Sequence, residues 1–361
     1  TSAPPTQSGS IGRSYYATPG GLEFLYNQYV HNNLYIYPEH RDHDPGHNGI
    51  GGYGDLFPAN TPYLIIAQGS SGSDQPFMRA MPYVLAAFRP EVKRRLIETG
   101  MLMPVIQMIL RSTNKHLQSS KEYLSGKAHP AVFQGSSVNT LGMVEMAHKI
   151  TLANIPPIAQ IKTVKEEKPV SGLHYFDPGL TERLAETPAA IARIFRGAGY
   201  SRKITVSAES SRDLNNRPLK FHWTVLQGDP DKIKIEYLNP SRSVADITIP
   251  YCSRSPIEKG SAMESNRIDI GVFVHNGEYY SPPAFITFYT LDNEARTYRL
   301  DGQPLEIAYG VGTSTVSIAD WKLFFDALTS AGESRPFALL RQRLQAQEIT
   351  ALTGLAGEFR S

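Results

Sequence analysis

KITVSAE (203–209), FHWTVLQ (221–227), KIKIEYL (232–238), ADITIPY (245–251), RIDIGVFVHNG (267–277) and AFITFYTL (284–291) decide the architecture of the second half of the chain. Apolar and polar residues alternate along them, which is the period of a strand with one face buried. Turn formers such as NNRP and GDPD separate the runs, and no long helical pattern intervenes. Strands spaced by about 10–15 residues in this way predict an antiparallel β-sandwich of about 90 residues. Trp223 alternates with Phe221 and Val225, so its ring is expected between the sheets.

Upstream the period changes. Leu22 to Tyr37 begins as a short helix and ends in the strand-like LYIY, and YLIIA (63–67) reads as a buried strand. Helices are expected over 77–88, 91–99, 101–111, 142–150 and 188–196, with Ser73 or Asp74 as N-cap of the first and Pro90 opening the second. Seven methionines fall in these stretches, where Met fills irregular helix contacts. Beyond Leu291, helices are expected over 318–328 and 336–347. The fold class predicted is therefore multi-domain α+β. A flexible lead (1–20) precedes a mainly helical N-terminal domain with polar Gly-rich loops (21–198), an immunoglobulin-like β-sandwich (199–292) and a helical C-terminal segment (293–361).

The 361 residues are 41% apolar and 19% charged, enough to bury a sizeable core and too apolar for wholesale disorder. Lysine and arginine number 36 against 34 acidic residues, a net charge of +2 spread along the chain. That balance argues against a nucleic-acid partner, which needs clustered cations. No run approaches the length of a membrane span. The single Cys252 excludes an intrachain disulfide and a cysteine-based metal centre. The opening TSAPPTQSGSIGRS suits the stretch after a removed signal peptide or an arbitrary boundary, and export to the periplasm or outside the cell is the expectation taken from it.

The segment from Ile204 to Asp229, with ADITIPY and the run from Arg267 to Phe288, resembles the PKD and PKD-like domains of cell-surface and secreted proteins. Ser211 and Asp213 sit at that family's Ser-x-Asp turn, Pro218 and Leu219 precede Phe221-His222-Trp223, and Asn276-Gly277 forms the late turn. The family's acidic-glycine signature after the tryptophan is absent, replaced by Thr224 to Asp229, which places the segment nearer the PKD-like variants. The resemblance covers about a quarter of the chain and implies an extracytoplasmic accessory, spacing or adhesion module without catalytic residues.

Candidate chemistry concentrates early. The loop EHRDHDPGHNGIGGYGD (39–55) offers Asp42, His43, Asp44 and His47 as ligands for a divalent metal, zinc or calcium. It matches neither ion's pattern fully. Metal-free alternatives stay open: a polar pocket in which Glu39 and His40 work with Tyr37 and Tyr53, or a locally hydrogen-bonded solvated loop. QGSSGSDQP (68–76) has the strand–glycine loop–helix order that presents backbone N–H groups to an anion or oxyanion. Ser71, Ser73 and Asp74 are its catalytic candidates, although the spacing is not G-x-S-x-G and a capping turn explains it equally. SGKAHP (125–130) groups Ser, Lys and His with nothing to fix them together. Nineteen tyrosines, five of them near the His/Asp loop, would suit a stacking surface for a glycan or ordinary half-buried packing.

Three function classes follow: a secreted or periplasmic hydrolase of a polymeric, glycan-like substrate; a non-catalytic glycan- or protein-binding surface protein; and a structural part of a larger chain. Two polar loops meeting in one cleft would favour the first.

Overall fold

The computed structural model describes residues 20–38, 59–67, 72–175, 179–253, 255–256, 264–291, 294–309 and 315–317. Among them, helices α1 (Gly21–Val30), α2 (Gln75–Ala87), α3 (Pro90–Glu98), α4 (Leu102–Ser112) and α5 (Thr140–Lys149) accompany two short parallel strands, β1 (Tyr35–Pro38) and β2 (Leu64–Ala67). Strands β3 (Lys162–Glu166), β4 (Arg183–Thr187), β5 (Ala190–Phe195), β6 (Ser201–Ser207), β7 (Lys220–Gln227), β8 (Lys234–Tyr237) and β9 (Val244–Pro250) follow. The two-residue strands β10 (Ser255–Pro256) and β11 (Glu264–Ser265) pair with each other ahead of β12 (Ile268–His275) and β13 (Ala284–Thr290).

Two sheets carry the molecule. One has five strands in the order β4-β5-β13-β12-β7, the other four in the order β3-β6-β9-β8. The period of two sorts their side chains. Ile270, Val272 and Val274 of β12 and Ala284, Ile286 and Phe288 of β13 face Ile204, Val206, Ala245, Ile247 and Ile249 of the smaller sheet. Trp223 joins this inter-sheet core at 7% exposure, as its alternation predicted, and its Nε1 donates to Arg242 O at 2.8 Å. The odd-numbered Phe273 turns the other way and packs with Ala190 and Ala192 against the helices. The layers therefore run helices, five-stranded sheet, four-stranded sheet. A sheet covered on both faces reads as near-continuous apolar sequence, and seven of eight β12 residues are buried.

This arrangement corrects the expected fold class. The five described helices end at Lys149, so residues 21–198 do not form a mainly helical domain. Strands β3, β4 and β5 all precede residue 199 and are built into the two sheets. Leu22, Phe77 and Met103 share one core with Ala190 and Phe273, which joins the helical layer to the sheet. The 188–196 stretch expected as helix is instead the turn and second strand of the β4–β5 hairpin. Ala190, Ile191, Ala192 and Phe195 are buried on both faces, which removes the period that would have marked a strand. Strand β5 runs parallel to β13, so the sandwich is mixed rather than the all-antiparallel, immunoglobulin-like unit expected within 199–292. The tail is corrected too: β14 (Glu294–Tyr298), β15 (Pro304–Tyr309) and β16 (Thr315–Ser317) form an antiparallel three-stranded sheet where a helical segment was expected. The helical candidates at 318–328 and 336–347 lie outside the described residues.

The four earlier helices expected upstream are present within two residues of their bounds. Helix α4 is buried from Leu102 through Arg111 because it lies between its neighbours. Met101, Met103, Met108 and Met143 are core residues, whereas Met78 is exposed. Among the described residues no helix is long and apolar enough to cross a membrane.

Candidate functional site

The parallel pairing of β1 and β2 places two loop exits side by side. Pro38, the last residue of β1, is the register partner of Ala67, the last of β2. The His/Asp loop leaves from the first and the QGSSGSD loop from the second. Ala67 also bridges Phe133 in parallel, and Phe133 N donates to Ile66 O at 2.6 Å. A third exit therefore leads from this edge into the 3-10 turn Gly135–Ser137. A Cβ on Gly135 would stand 2.8 Å from Pro76 Cγ in the first turn of α2, so turn and helix meet without room for a side chain. The carboxyl ends of parallel strands are where open α/β sheets hold ligands, because N–H groups and loops converge there.

Gly72, at φ +84°, turns the chain into α2. Asp74 occupies the N-cap position, but its side chain makes no capping bond to the helix, and it is 6% exposed. A carboxylate at the start of a helix, beside the exits of two loops, is a candidate for proton transfer. Among the described residues the buried Ser73 hydroxyl has no hydrogen-bond partner, and a nucleophilic serine needs a base beside it. Among the described residues no base stands beside Ser73, and Asp74 is the candidate carried forward. Ser71, Glu39, His40, Asp42, His43, Asp44, His47 and Tyr53 lie outside the described residues. Tyr37 is placed on β1 by its backbone. Among the described residues no group of three or more His, Cys, Asp or Glu side chains is placed to hold a metal ion.

Beneath the point where the chain returns from the His/Asp loop lies a buried polar framework that the sequence did not disclose. Asn60 Nδ2 donates to His129 O at 3.2 Å and to Asp269 Oδ2 at 3.3 Å. Asp269 also accepts from Thr287 Oγ1 at 2.9 Å and pairs with Arg267 at 2.9 Å. Arg111, fully buried on α4, donates to Gln107 Oε1 at 3.2 Å and lies over the Phe133 and Phe285 rings. Burial pushes its guanidinium down to about 10, while burial and then the Arg111 charge push the His129 imidazole well below its ordinary value. His129 Nε2 lies 2.5 Å from Tyr123 O. A carbonyl only accepts, so Nε2 carries the proton and Nδ1 receives the Arg111 Nη1 donor at 3.4 Å.

These groups are sealed from water, which suits positioning rather than proton exchange with a substrate. The Ser125-Lys127-His129 grouping is split: Ser125 Oγ donates to Glu122 O, Lys127 pairs with the Glu122 carboxylate, and His129 turns inward. The Ser-x-Asp and Asn-Gly turns do meet, with Asn276 Nδ2 donating to Asp213 Oδ2 at 2.5 Å. Asp213 Oδ1 accepts the Asn215 and Arg217 backbone amides, closing its own turn.

No family model and no curated protein matches the chain. Among solved structures, it is similar to a nucleoside hydrolase-related hypothetical protein from Saccharophagus degradans, described as associated with carbohydrate metabolism. The two are 10% identical, 63% of each chain is covered, and the TM-score is 0.25. The chain thus spans under two thirds of that protein's length, and the likeness is too slight to carry an argument about fold or function.

Proposed function

We propose that this protein is a hydrolase of a polymeric, glycan-like substrate, working at the edge where β1 and β2 end. The observation that carries the reading is the Pro38–Ala67 register, which roots the His/Asp loop and the QGSSGSD loop next to each other. In this reading Asp74 is the proton-transferring carboxylate. Glu39, His40, Tyr37 and Tyr53 bind the substrate, and Asp42, His43, Asp44 and His47 hold a zinc or calcium ion. Such an ion would supply a polarised or deprotonated water at neutral pH. In this reading the setting is extracytoplasmic, as the PKD-like resemblance implies.

A second reading is a non-catalytic glycan-binding surface protein. The deciding experiment measures reducing-end release from a panel of soluble polysaccharides, with and without a chelator, alongside metal analysis of the purified chain. Release that the chelator abolishes and stoichiometric metal restores supports the full reading. Release that ignores the chelator keeps the hydrolase and removes the metal. No release from any polysaccharide leaves the binding reading in its place.

A further inference from the structure

An open pocket of about 410 Å³ lies at one end of the sandwich, away from the residues of the β1–β2 edge. Its size falls in the range of about 300–1,000 Å³ usual for small-molecule sites. Three tyrosines wall it. The Tyr200 and Tyr298 rings meet edge to face at 5.1 Å, and Tyr251 tilts against Tyr298 at 5.6 Å. The charged groups of the wall are already paired: Arg296 with Glu294 at 2.5 Å, Arg267 with Asp269 at 2.9 Å, and Lys232 with Asp229 at 3.3 Å. Arg296 further donates to the Gly197 carbonyl at 2.7 Å. Asn266 is 5% exposed at the wall; its Nδ2 donates to Thr290 O, and among the described residues its Oδ1 accepts nothing. A buried acceptor left without a donor costs free energy, and a ligand hydroxyl reaching it after a small side-chain shift would remove that cost.

We infer that this pocket binds an uncharged sugar unit, separately from any chemistry at the β1–β2 edge. Neutralised walls give no reward to an anion, since each cation is committed to a carboxylate. Tyrosine rings offer apolar faces to the C–H side of a pyranose and hydroxyls at their rims. The amide and the flanking Ser253 and Ser255 supply hydrogen bonds of neutral character. A ligand with an apolar face and a fringe of hydroxyls fits both halves of this wall.

The test is calorimetric titration of the full chain with cellobiose, maltose and lactose, and separately with inorganic phosphate and adenosine. At least one disaccharide should bind below about 10 mM, with phosphate and adenosine silent. Tyr200 is 44% exposed, so Tyr200→Ala should weaken sugar binding at least about tenfold without lowering the melting temperature. Tyr200→Phe, which keeps the ring, should stay within about threefold of wild type, as should Tyr237→Ala on an exposed tyrosine outside the pocket. Ser253→Trp fills the pocket from its exposed rim and should abolish binding even if Tyr200→Ala fails to fold. Silence with all three disaccharides, preference for phosphate or adenosine, or sugar binding unchanged in Ser253→Trp overturns the inference. None of these outcomes depends on whether the chain hydrolyses a glycan.

Discussion

Removing the Asp269 carboxylate tests how the helical layer is fastened to the five-stranded sheet. Asp269 is buried, and it takes bonds from Arg267 on its own strand end, Thr287 on β13 and Asn60 at the return of the His/Asp loop. Asp269→Ala leaves the buried Arg267 guanidinium without this carboxylate, a loss worth about 3–5 kcal/mol when one partner of a buried ion pair is deleted. Against a total stability of about 5–15 kcal/mol, that lowers the melting temperature by about 10 °C in a chain of this size. Urea unfolding of wild type, Asp269→Ala, Arg267→Met and the double variant Arg267→Met/Asp269→Ala completes a cycle. The pair should couple by at least about 2 kcal/mol, with the double variant less damaged than the sum of the singles. A cost below about 1 kcal/mol for Asp269→Ala, or additivity within about 0.5 kcal/mol, refutes the argument that this network ties the layers together.

Trp223→Ala should cost about 3–5 kcal/mol, because the ring fills the space between the sheets and its Nε1 bond to Arg242 O is lost with it; chemical denaturation reads this directly. Stability should fall on acidification below about pH 6.5, since His129 stays neutral in the fold while the unfolded chain takes up the proton. His129→Gln should show a shallower fall in stability between about pH 7 and 5; an unchanged slope assigns the acid sensitivity elsewhere.

All six strand runs from Lys203 to Leu291 were legible because each alternates or is bounded by turn residues, and each contains or overlaps a strand of the sandwich. Helices α2 to α5 were legible from their apolar stripes and from Pro90 at a helix start. The β4–β5 hairpin was not, because a strand covered on both faces by a helix layer and a second sheet has no polar side to mark it. Strand β3, largely exposed and rich in lysine, gave no apolar signal at all. The QGSSGSD and His/Asp loops stood out by composition, yet only the β1–β2 register shows that they start at neighbouring residues. The polar framework was hidden for a different reason: Asn60 and Asp269 are 209 residues apart, and no local pattern encodes that contact.

Catalysis at the β1–β2 edge is tested most directly by the turnover of Asp74→Asn. The substitution removes the charge and keeps the shape of a side chain that does not cap α2. Polysaccharide hydrolysis by purified wild type should be measurable, and Asp74→Asn should lose about 10²–10⁴-fold in kcat, the worth of a positioned general acid or base. Full activity in Asp74→Asn, or no hydrolysis by the wild-type chain, would contradict the account.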